Sequence, residues 1–190
     1  GYVLALSRAY ELTDLAVAEL RQRILVSETD PRLFTGTLRD ELDPWGNHTD
    51  SEILAALTVA SGEDVLEALS DGLDSDVEER GRSFSGGQRQ RLALTRALLA
   101  DAAILVLVEP TSAVDAHTET RIAARLAEFR AGHTTVVMSA SPLVLDQADR
   151  VVLLDEGRVV AEGTHHDLLH RGDAASAAYR AVVVRGEDEE

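Results

Sequence analysis

The segment Ser85–Arg91 combines a hydroxyl, two glycines and two arginines at the start of a predicted helix. Free backbone N–H groups and the positive end of a helix dipole attract anions, and glycines let the backbone approach a phosphate closely. Ser85 can add a hydroxyl donor, but it also fits a plain helix N-cap. Arg89 and Arg91 oppose the dipole, which argues against a purely structural cap. Taken alone, the segment supports both interpretations equally.

A second group of polar residues follows the apolar run Ile104–Val108. Ligands of an open parallel sheet bind beyond the carboxyl ends of its strands, so Glu109 and the loop after Met138 are candidates for a ligand site. A lone carboxylate there is more often a solvated or capping residue, and Asp115 alone fits an ordinary helix N-cap. The interpretation of Glu109 as a ligand-site residue is favoured because a single predicted helix separates it from Ser85.

The composition excludes several kinds of site. All 18 basic residues are arginine, so the chain contains no P-loop, which needs a lysine after its glycines. Because there is no cysteine, neither a disulfide framework nor a thiolate metal site is possible. The formal charge of −16 argues against a nucleic-acid surface, which needs basic patches.

The length of 190 residues suits one domain, or one core with a subdomain. The longest apolar run, residues 102–108, is too short to span a bilayer, and no signal-peptide pattern opens the chain. These features predict a soluble cytoplasmic domain.

The order of predicted elements changes near residue 100. Before it the pattern is mainly helical, whereas after it apolar runs alternate with helical patterns, which is typical of a parallel sheet. Strands are predicted at 3–6, 24–26, 104–108 and 134–138, with a hairpin of 151–154 and 158–161. Helices are predicted at 13–23, 37–42, 49–70 (in two pieces), 86–100, 118–131, 142–148, from 164 onward, and 174–184.

Several finer predictions follow from local patterns. The sequence predicts that the strands 24–26 and 104–108 are buried, the latter on both faces. It predicts a loop at 71–81. The loop 27–37 has an apolar anchor at Leu33-Phe34, and Phe129 joins Ile122 and Leu126 on one apolar stripe of a helix. Capping boxes or caps are predicted for the pairs Thr49/Glu52, Ser61/Asp64 and Thr164/Asp167. Residues 186–190 form an acidic tail of a composition typical of disorder.

As an ordered set, these motifs resemble the nucleotide-binding domain of ATP-binding-cassette (ABC) transporters of the exporter type, over residues 12–185. Segment 85–91 resembles the family signature, with Phe84 where leucine is usual, and 76–81 resembles the exporter segment before it, which faces the transmembrane coupling helices. Residues 104–109 resemble the Walker B strand, 112–115 the D-loop, and 149–165 the closing strands and helix.

The resemblance implies an α/β fold of the P-loop NTPase (RecA-like) class, with a mostly parallel sheet flanked by helices and a helical signature subdomain. The helical subdomain would cover 37–98, the core 1–36 and 99–185, and the acidic tail 186–190. The phosphate-binding loop of the family normally lies upstream of residue 1. We therefore expect a partial ABC domain without its N-terminal portion.

Three positions depart from the family pattern. Val108 stands where an aspartate that helps hold Mg²⁺ closes the Walker B strand, Thr29 at the Q-loop glutamine, and Ala140 at the switch histidine. Only Glu109, at the general-base position, is retained, and we interpret it as vestigial. Phosphoryl transfer needs positioning and charge neutralisation by lysine and metal, so we predict that this chain alone does not hydrolyse ATP and holds no metal of its own.

In the resembled family two domains dimerise head to tail, and each signature closes over nucleotide held by the other. The resemblance therefore implies that Ser85, Gly86, Gly87 and Gln88, together with Asp115 of the D-loop, contact ATP bound by a second nucleotide-binding domain. Mg²⁺ would enter only through that partner's site. The chain would be the non-catalytic half of an exporter, held at the cytoplasmic face of the membrane by a transmembrane domain, with no nucleic acid as partner.

Two alternatives remain open on the sequence. The chain can be a non-functional truncated fragment, in which case it would be soluble and cytoplasmic. A non-transport ABC ATPase acting on DNA is disfavoured by the negative charge and by the short distance of about 50 residues between Phe34 and Ser85, which leaves no room for long coiled-coil insertions.

Overall fold

A computed structural model describes residues 16–27, 35–77 and 81–188 of the chain. Its helices are α1 Val17–Arg23, α2 Leu38–Leu42, α3 Asp50–Val59, α4 Glu63–Glu67, α5 Gly86–Leu99, α6 Ala116–Phe129, α7 Pro142–Leu145, α8 His165–His170 and α9 Ala174–Asp188. Its strands are β1 Ile24–Ser27, β2 Gly36–Thr37, β3 Asp76–Val77, β4 Ile104–Val108, β5 Thr134–Met138, β6 Val151–Asp155 and β7 Arg158–Gly163.

The central sheet is parallel and has the order β1-β4-β5 within the described residues. Ile104 is in register with Ile24 on one side and with Thr134 on the other. Two antiparallel pairs, β2-β3 and β6-β7, lie outside this sheet. The arrangement confirms the predicted α/β fold with a parallel sheet flanked by helices.

The main hydrophobic core joins this sheet to the helices before it. Leu105 and Leu107 of β4 are 1% exposed and pack in one cluster with leucines of α2, α3 and α5 and with Ile122 of α6. A second cluster forms around the β6-β7 hairpin and the last two helices, with Leu168 at its centre. The burial of β4 places Glu109 at the carboxyl end of a fixed strand.

Helix starts are fixed locally, mostly as predicted. The capping box of Thr49 and Glu52 begins α3, and Thr164 caps α8 by accepting from the Asp167 N–H at 3.1 Å. The predicted box of Ser61 and Asp64 is wrong. Gly62 occupies the N-cap of α4 without a side-chain bond, because Ser61 adopts a left-handed backbone (φ 52°) and Asp64 pairs with Arg91 instead.

Other differences concern burial. The strand β4 is not buried on both faces, since its residues alternate between buried and half-buried, and Val26 of β1 is 55% exposed. Core helices pack against Leu105 and Leu107 on one face of β4, whereas β1 is an edge of the described sheet. Phe129 is 45% exposed because α6 ends there, beyond the part that faces the core.

Some predicted segments have different bounds. The segment 71–81 is not entirely loop, because a 3₁₀ turn at Gly72–Asp74 and strand β3 lie within it, and β3 pairs with β2. Helix α7 ends at Leu145, earlier than predicted, while α9 continues through Asp188, so the acidic tail begins as helix. The predicted strand 3–6, the start of the first helix, the Leu33-Phe34 anchor and Thr29 lie outside the described residues.

Candidate functional site

The signature residues form the capped N-terminus of α5. The Ser85 hydroxyl oxygen accepts from the Gln88 backbone N–H at 3.2 Å, and the Gln88 side-chain oxygen accepts from the Ser85 N–H at 2.8 Å. Ser85 and Gly86 are exposed, and the first turn carries no acidic residue. Since Ser85 accepts in the cap, its own O–H remains chemically available as a donor. Cap and anion site are therefore compatible in the same residues.

The two arginines of the signature turn away from the helix axis and bind protein oxygens. Arg89 donates through Nη1 to the Phe84 carbonyl at 2.6 Å. Arg91 forms a bidentate ion pair with Asp64 and a hydrogen bond with the Ser61 carbonyl, which ties α5 to the turn between α3 and α4. The hydrogen bond with Arg91 lowers the pKa of the Asp64 carboxyl. These contacts offset the unfavourable dipole position of both cations.

Gly87 is the point at which the signature helix meets the loop after β4. A Cβ atom on Gly87 would lie 2.4 Å from the carbonyl oxygen of Ala113, whereas one on Gly86 would have its nearest neighbours at 4.0 Å. The contact brings the predicted signature and the predicted D-loop side by side. Glycine at position 87 is therefore required by this approach.

Gln90, one helical turn further along α5, fastens the same loop. Its Nε2 donates to the Glu109 carbonyl at 2.8 Å and to the Ser112 hydroxyl at 3.1 Å, and its Oε1 accepts from the Ala113 N–H at 3.0 Å. The side chain is only 6% exposed. No role for Gln90 was predicted from the sequence, although its spacing of three residues from Gly87, which places both on one helix face, is a signal that points to it.

Glu109 has a left-handed backbone with φ 45°, which costs on the order of 1–3 kcal/mol for a non-glycine residue. Its N–H donates to the Met138 carbonyl at 2.9 Å, so the residue extends the β4-β5 pairing by one bond. Its Oε2 accepts from the Ser139 hydroxyl at 3.3 Å. Burial raises the pKa of the Glu109 carboxyl, the Ser139 bond opposes this shift, and the charge of Glu119 adds to it.

Glu119 supports the same loop from α6. It is 2% exposed, and its Oε1 accepts from the Thr111 hydroxyl at 2.5 Å. This bond holds the centre of the loop between Glu109 and Asp115.

Asp115 occupies the N-cap of α6, as its plain structural interpretation predicts. Its carboxylate accepts from the Thr118 N–H at 3.0 Å and from the Thr118 hydroxyl at 2.8 Å. The backbone bond and the hydroxyl bond of Thr118 lower the pKa of Asp115. The N-cap role leaves Asp115 exposed at the end of the loop that Gly87 contacts.

The family model described as "ABC transporter" matches residues 5–112, which is more than half of the chain. The chain belongs to the ABC transporter family. The match spans both the signature and the strand that precedes Glu109.

Relatives of this ABC domain agree with the assignment. The "ATP-dependent lipid A-core flippase" of Albidiferax ferrireducens is 39% identical over 164 residues, which cover 85% of this chain and 28% of the relative. The "Uncharacterized ABC transporter ATP-binding protein YknV" of Bacillus subtilis is 35% identical over 172 residues, or 90% of this chain and 28% of the relative. The chain thus spans less than a third of the length of these relatives.

A solved structure confirms the predicted fold. The structure described as a bacterial Atm1-family ABC exporter with ATP bound has a TM-score of 0.77 at 30% identity. It covers 88% of this chain and 29% of the exporter chain. Among the described residues of this ABC domain, no helix is long and apolar enough to cross a membrane.

The fold brings some predicted site residues together and separates others. The loop 109–115 carries Glu109 at one end and Asp115 at the other, and its middle contacts the signature helix at Gly87. Ser85 and Gln88 bond to each other at the start of α5, while the Glu109 carboxylate bonds to Ser139, on the opposite side of β4 from β1. The signature residues at the start of α5 and the Glu109 carboxylate thus have different bonding partners, while Gln90 connects α5 to the Glu109 carbonyl.

The residues present do not fit a magnesium site around Glu109. Val108, at the position of the metal-binding aspartate, is half-buried at the strand end, and Ala140 stands beside Ser139 at the switch position. Within the described parts of the chain, no group of three or more histidine or carboxylate side chains could hold a metal ion. Thr29, at the Q-loop position, lies outside those parts.

Proposed function

We propose that this chain is the nucleotide-binding domain of an ABC exporter in which it forms the non-catalytic half, supplying its signature to ATP held by a second nucleotide-binding domain. The single observation that carries the proposal is the exposed, capped N-terminus of α5 with Ser85 and Gly86 at its tip. Gln88 and Gly87 complete the surface. The phosphates of the partner's ATP are the expected ligand.

The electrostatics of this helix end suit a phosphate. The N-terminus of α5 is the positive end of a 14-residue helix with no carboxylate in its first turn, and Gly86 lies exposed there beside the capping box of Ser85 and Gln88. The arginine side chains nearby are bound to Phe84, Ser61 and Asp64. A phosphate would therefore be bound by backbone N–H groups and the Ser85 hydroxyl, and Asp115 would flank it from the adjoining loop.

The chain's own site supports the non-catalytic assignment. Catalysis of phosphoryl transfer depends on a metal ion that neutralises charge, and Val108 and Ala140 stand beside Glu109 where the family pattern has a metal-binding aspartate and the switch histidine. Glu109 would remain as a vestigial base. Mg²⁺ would act only with the partner's nucleotide.

The relatives support a place at the membrane. They are named as a flippase and as a transporter's ATP-binding protein, and each is more than three times as long as its aligned part. We infer that a transmembrane domain holds this domain at the cytoplasmic face of the membrane. The formal charge of −16 favours no nucleic-acid partner.

The decisive experiment introduces Ser85→Arg into the full-length protein assembled with its natural partner domain. The bulky side chain would block closure over the partner's ATP, so we expect MgATP turnover to fall by about 100-fold or more. Ser51→Arg, on an exposed position of α3, adds the same charge elsewhere and is the matched control. Full turnover with Ser85→Arg would reject the trans role and favour a non-functional fragment.

A further inference from the structure

We propose that Gln90 is a positioning residue that locks the loop 109–115 to the signature helix, so that the signature and the D-loop move as one rigid unit. The carrying observation is that one buried amide makes three hydrogen bonds to three residues of that loop. The consequence for the partner's ATP site rests on the proposed function. The local locking itself does not.

The hydrogen-bonding capacity of Gln90 matches the loop on both sides. Both hydrogens of its Nε2 are used, by the Glu109 carbonyl and the Ser112 hydroxyl, and its Oε1 takes the Ala113 N–H. The Ser112 hydroxyl itself donates to the Glu109 carbonyl at 3.3 Å. No other side chain offers two donors and an acceptor in this planar arrangement and at this length.

Gly87 makes this contact geometrically possible. It lies on the same face of α5 as Gln90, and its missing side chain lets the Ala113 carbonyl approach the helix. Ala113 is therefore held through both of its backbone groups, with its carbonyl oxygen against Gly87 and its N–H bonded to Gln90. The loop cannot shift relative to the signature without breaking these bonds.

The Gln90 bond also reaches the strained residue of the loop. Glu109 keeps its left-handed backbone while its N–H is bound to β5 and its carbonyl to Gln90. A displacement at the signature would thus be transmitted through one side chain to Glu109 and to the loop that ends at Asp115. This coupling gives Gln90 a role in transmission within the domain that packing alone would not require.

The test compares Gln90→Met, which fills similar space without hydrogen bonds, with Gln90→Glu, which keeps an acceptor but loses both donations. Amide hydrogen exchange on the full-length protein should show the Ala113 N–H exchanging about tenfold faster in Gln90→Met. The amides of β4 should be unchanged. Gln147→Met, at an exposed glutamine, is the matched control.

Turnover by the assembled transporter supplies the second measurement. With MgATP as substrate, both Gln90 variants should lower kcat by about tenfold or more without changing KM, because the rigid unit acts in the closed state. Unchanged Ala113 exchange in Gln90→Met, or equally faster exchange throughout β4, would overturn the locking of the loop by Gln90. An unaltered kcat in an assembly that Ser85→Arg inactivates would overturn its consequence for turnover. If Ser85→Arg leaves turnover intact, the trans role fails, yet the exchange measurement still decides whether Gln90 locks the loop.

Discussion

The carbonyl oxygen of Ala113 occupies the space that a side chain on Gly87 would need, at 2.4 Å from the position of its Cβ. Gly87 lies inside a regular helix, so its backbone conformation does not require glycine. Glycine is required because Ala113, a residue of a different segment, occupies the space of a side chain. This contact explains one of the two glycines of the signature by packing, whereas the other, Gly86, faces solvent.

Replacement of Gly87 by alanine should therefore destabilise the domain by about 1–3 kcal/mol, although alanine is the better helix former. The oxygen that clashes belongs to the backbone and cannot rotate away. Urea unfolding followed by circular dichroism measures the effect. Gly86→Ala is the matched control, since its Cβ would have 4.0 Å of space, and it should be neutral or stabilising by up to about 1 kcal/mol. Equal effects at both glycines would contradict the role of the Ala113 contact.

The purified chain should show no MgATP hydrolysis above background, and Glu109→Gln should leave that background unchanged. Without a lysine, and with no set of metal-holding side chains among the described residues, the Glu109 base has no oriented phosphate to act on. A coupled phosphate-release assay measures the rate. A magnesium-dependent rate that disappears with Glu109→Gln would show a competent site and sink the non-catalytic assignment.

Restoring the aspartate and the histidine of the family pattern also tests the non-catalytic assignment. The double substitution Val108→Asp and Ala140→His should not produce turnover in this chain, because the lysine that contacts the phosphates would still be absent. A measurable rate in the double variant would show that lysine is dispensable here.

Arg91→Lys should destabilise the domain by about 1–3 kcal/mol. The guanidinium holds Asp64 with two nitrogens and the Ser61 carbonyl with one of them, and it is only 12% exposed. A lysine ammonium cannot reproduce this forked contact between α5 and the α3–α4 turn. Thermal unfolding measures the loss. Arg121→Lys, at an exposed arginine with one bond of 3.3 Å to Thr118, should change stability by less than about 0.5 kcal/mol, and a similar loss there would contradict the argument.

Stability should fall as pH rises from 10 toward 12, partly because of Tyr179. Burial raises the pKa of Tyr179 from 10.0 to about 12, so the unfolded chain releases this proton first. The stabilisation is fully present below pH 10. It is lost as pH rises through the pKa of Tyr179 in the folded protein, so the free energy of unfolding falls by about 1–3 kcal/mol in total. The chain has no lysine or cysteine side chains that would titrate in this range.

Tyr179→Phe separates this contribution from the rest of the alkaline response. The variant should be less stable at neutral pH by about 1–3 kcal/mol, because His165 Nδ1, 2.6 Å from the tyrosine oxygen, loses its partner. Its stability should also depend less on pH between 10 and 12. Denaturant unfolding at several pH values measures both effects, and an identical pH slope in the two proteins would rule out the Tyr179 contribution.

The sequence predicted those features that depend on neighbouring residues. Ser85, Thr49, Thr164 and Asp115 all begin helices by bonding to a residue three positions later, so their partners are fixed by local spacing. The same logic failed at Ser61, where Arg91, distant in the chain, binds Asp64 and the Ser61 carbonyl. Local patterns hold where no tertiary partner competes for the same groups.

By itself, the sequence determined the family, the order of most described elements and the capped start of α5 at Ser85, because glycine placement, caps and apolar runs are local chemistry. Only the tertiary structure decided that Gly87 must be glycine, that Gln90 fastens the loop 109–115, and that the Glu109 carboxylate bonds to Ser139. The contacts of Gln90 with Glu109 and of Glu109 with Ser139 join residues 19 and 30 positions apart, and that of Gly87 with Ala113 also joins distant segments. Their geometry depends on how α5, β4 and β5 pack together, and side-chain reach across a packed interface is not encoded in local spacing.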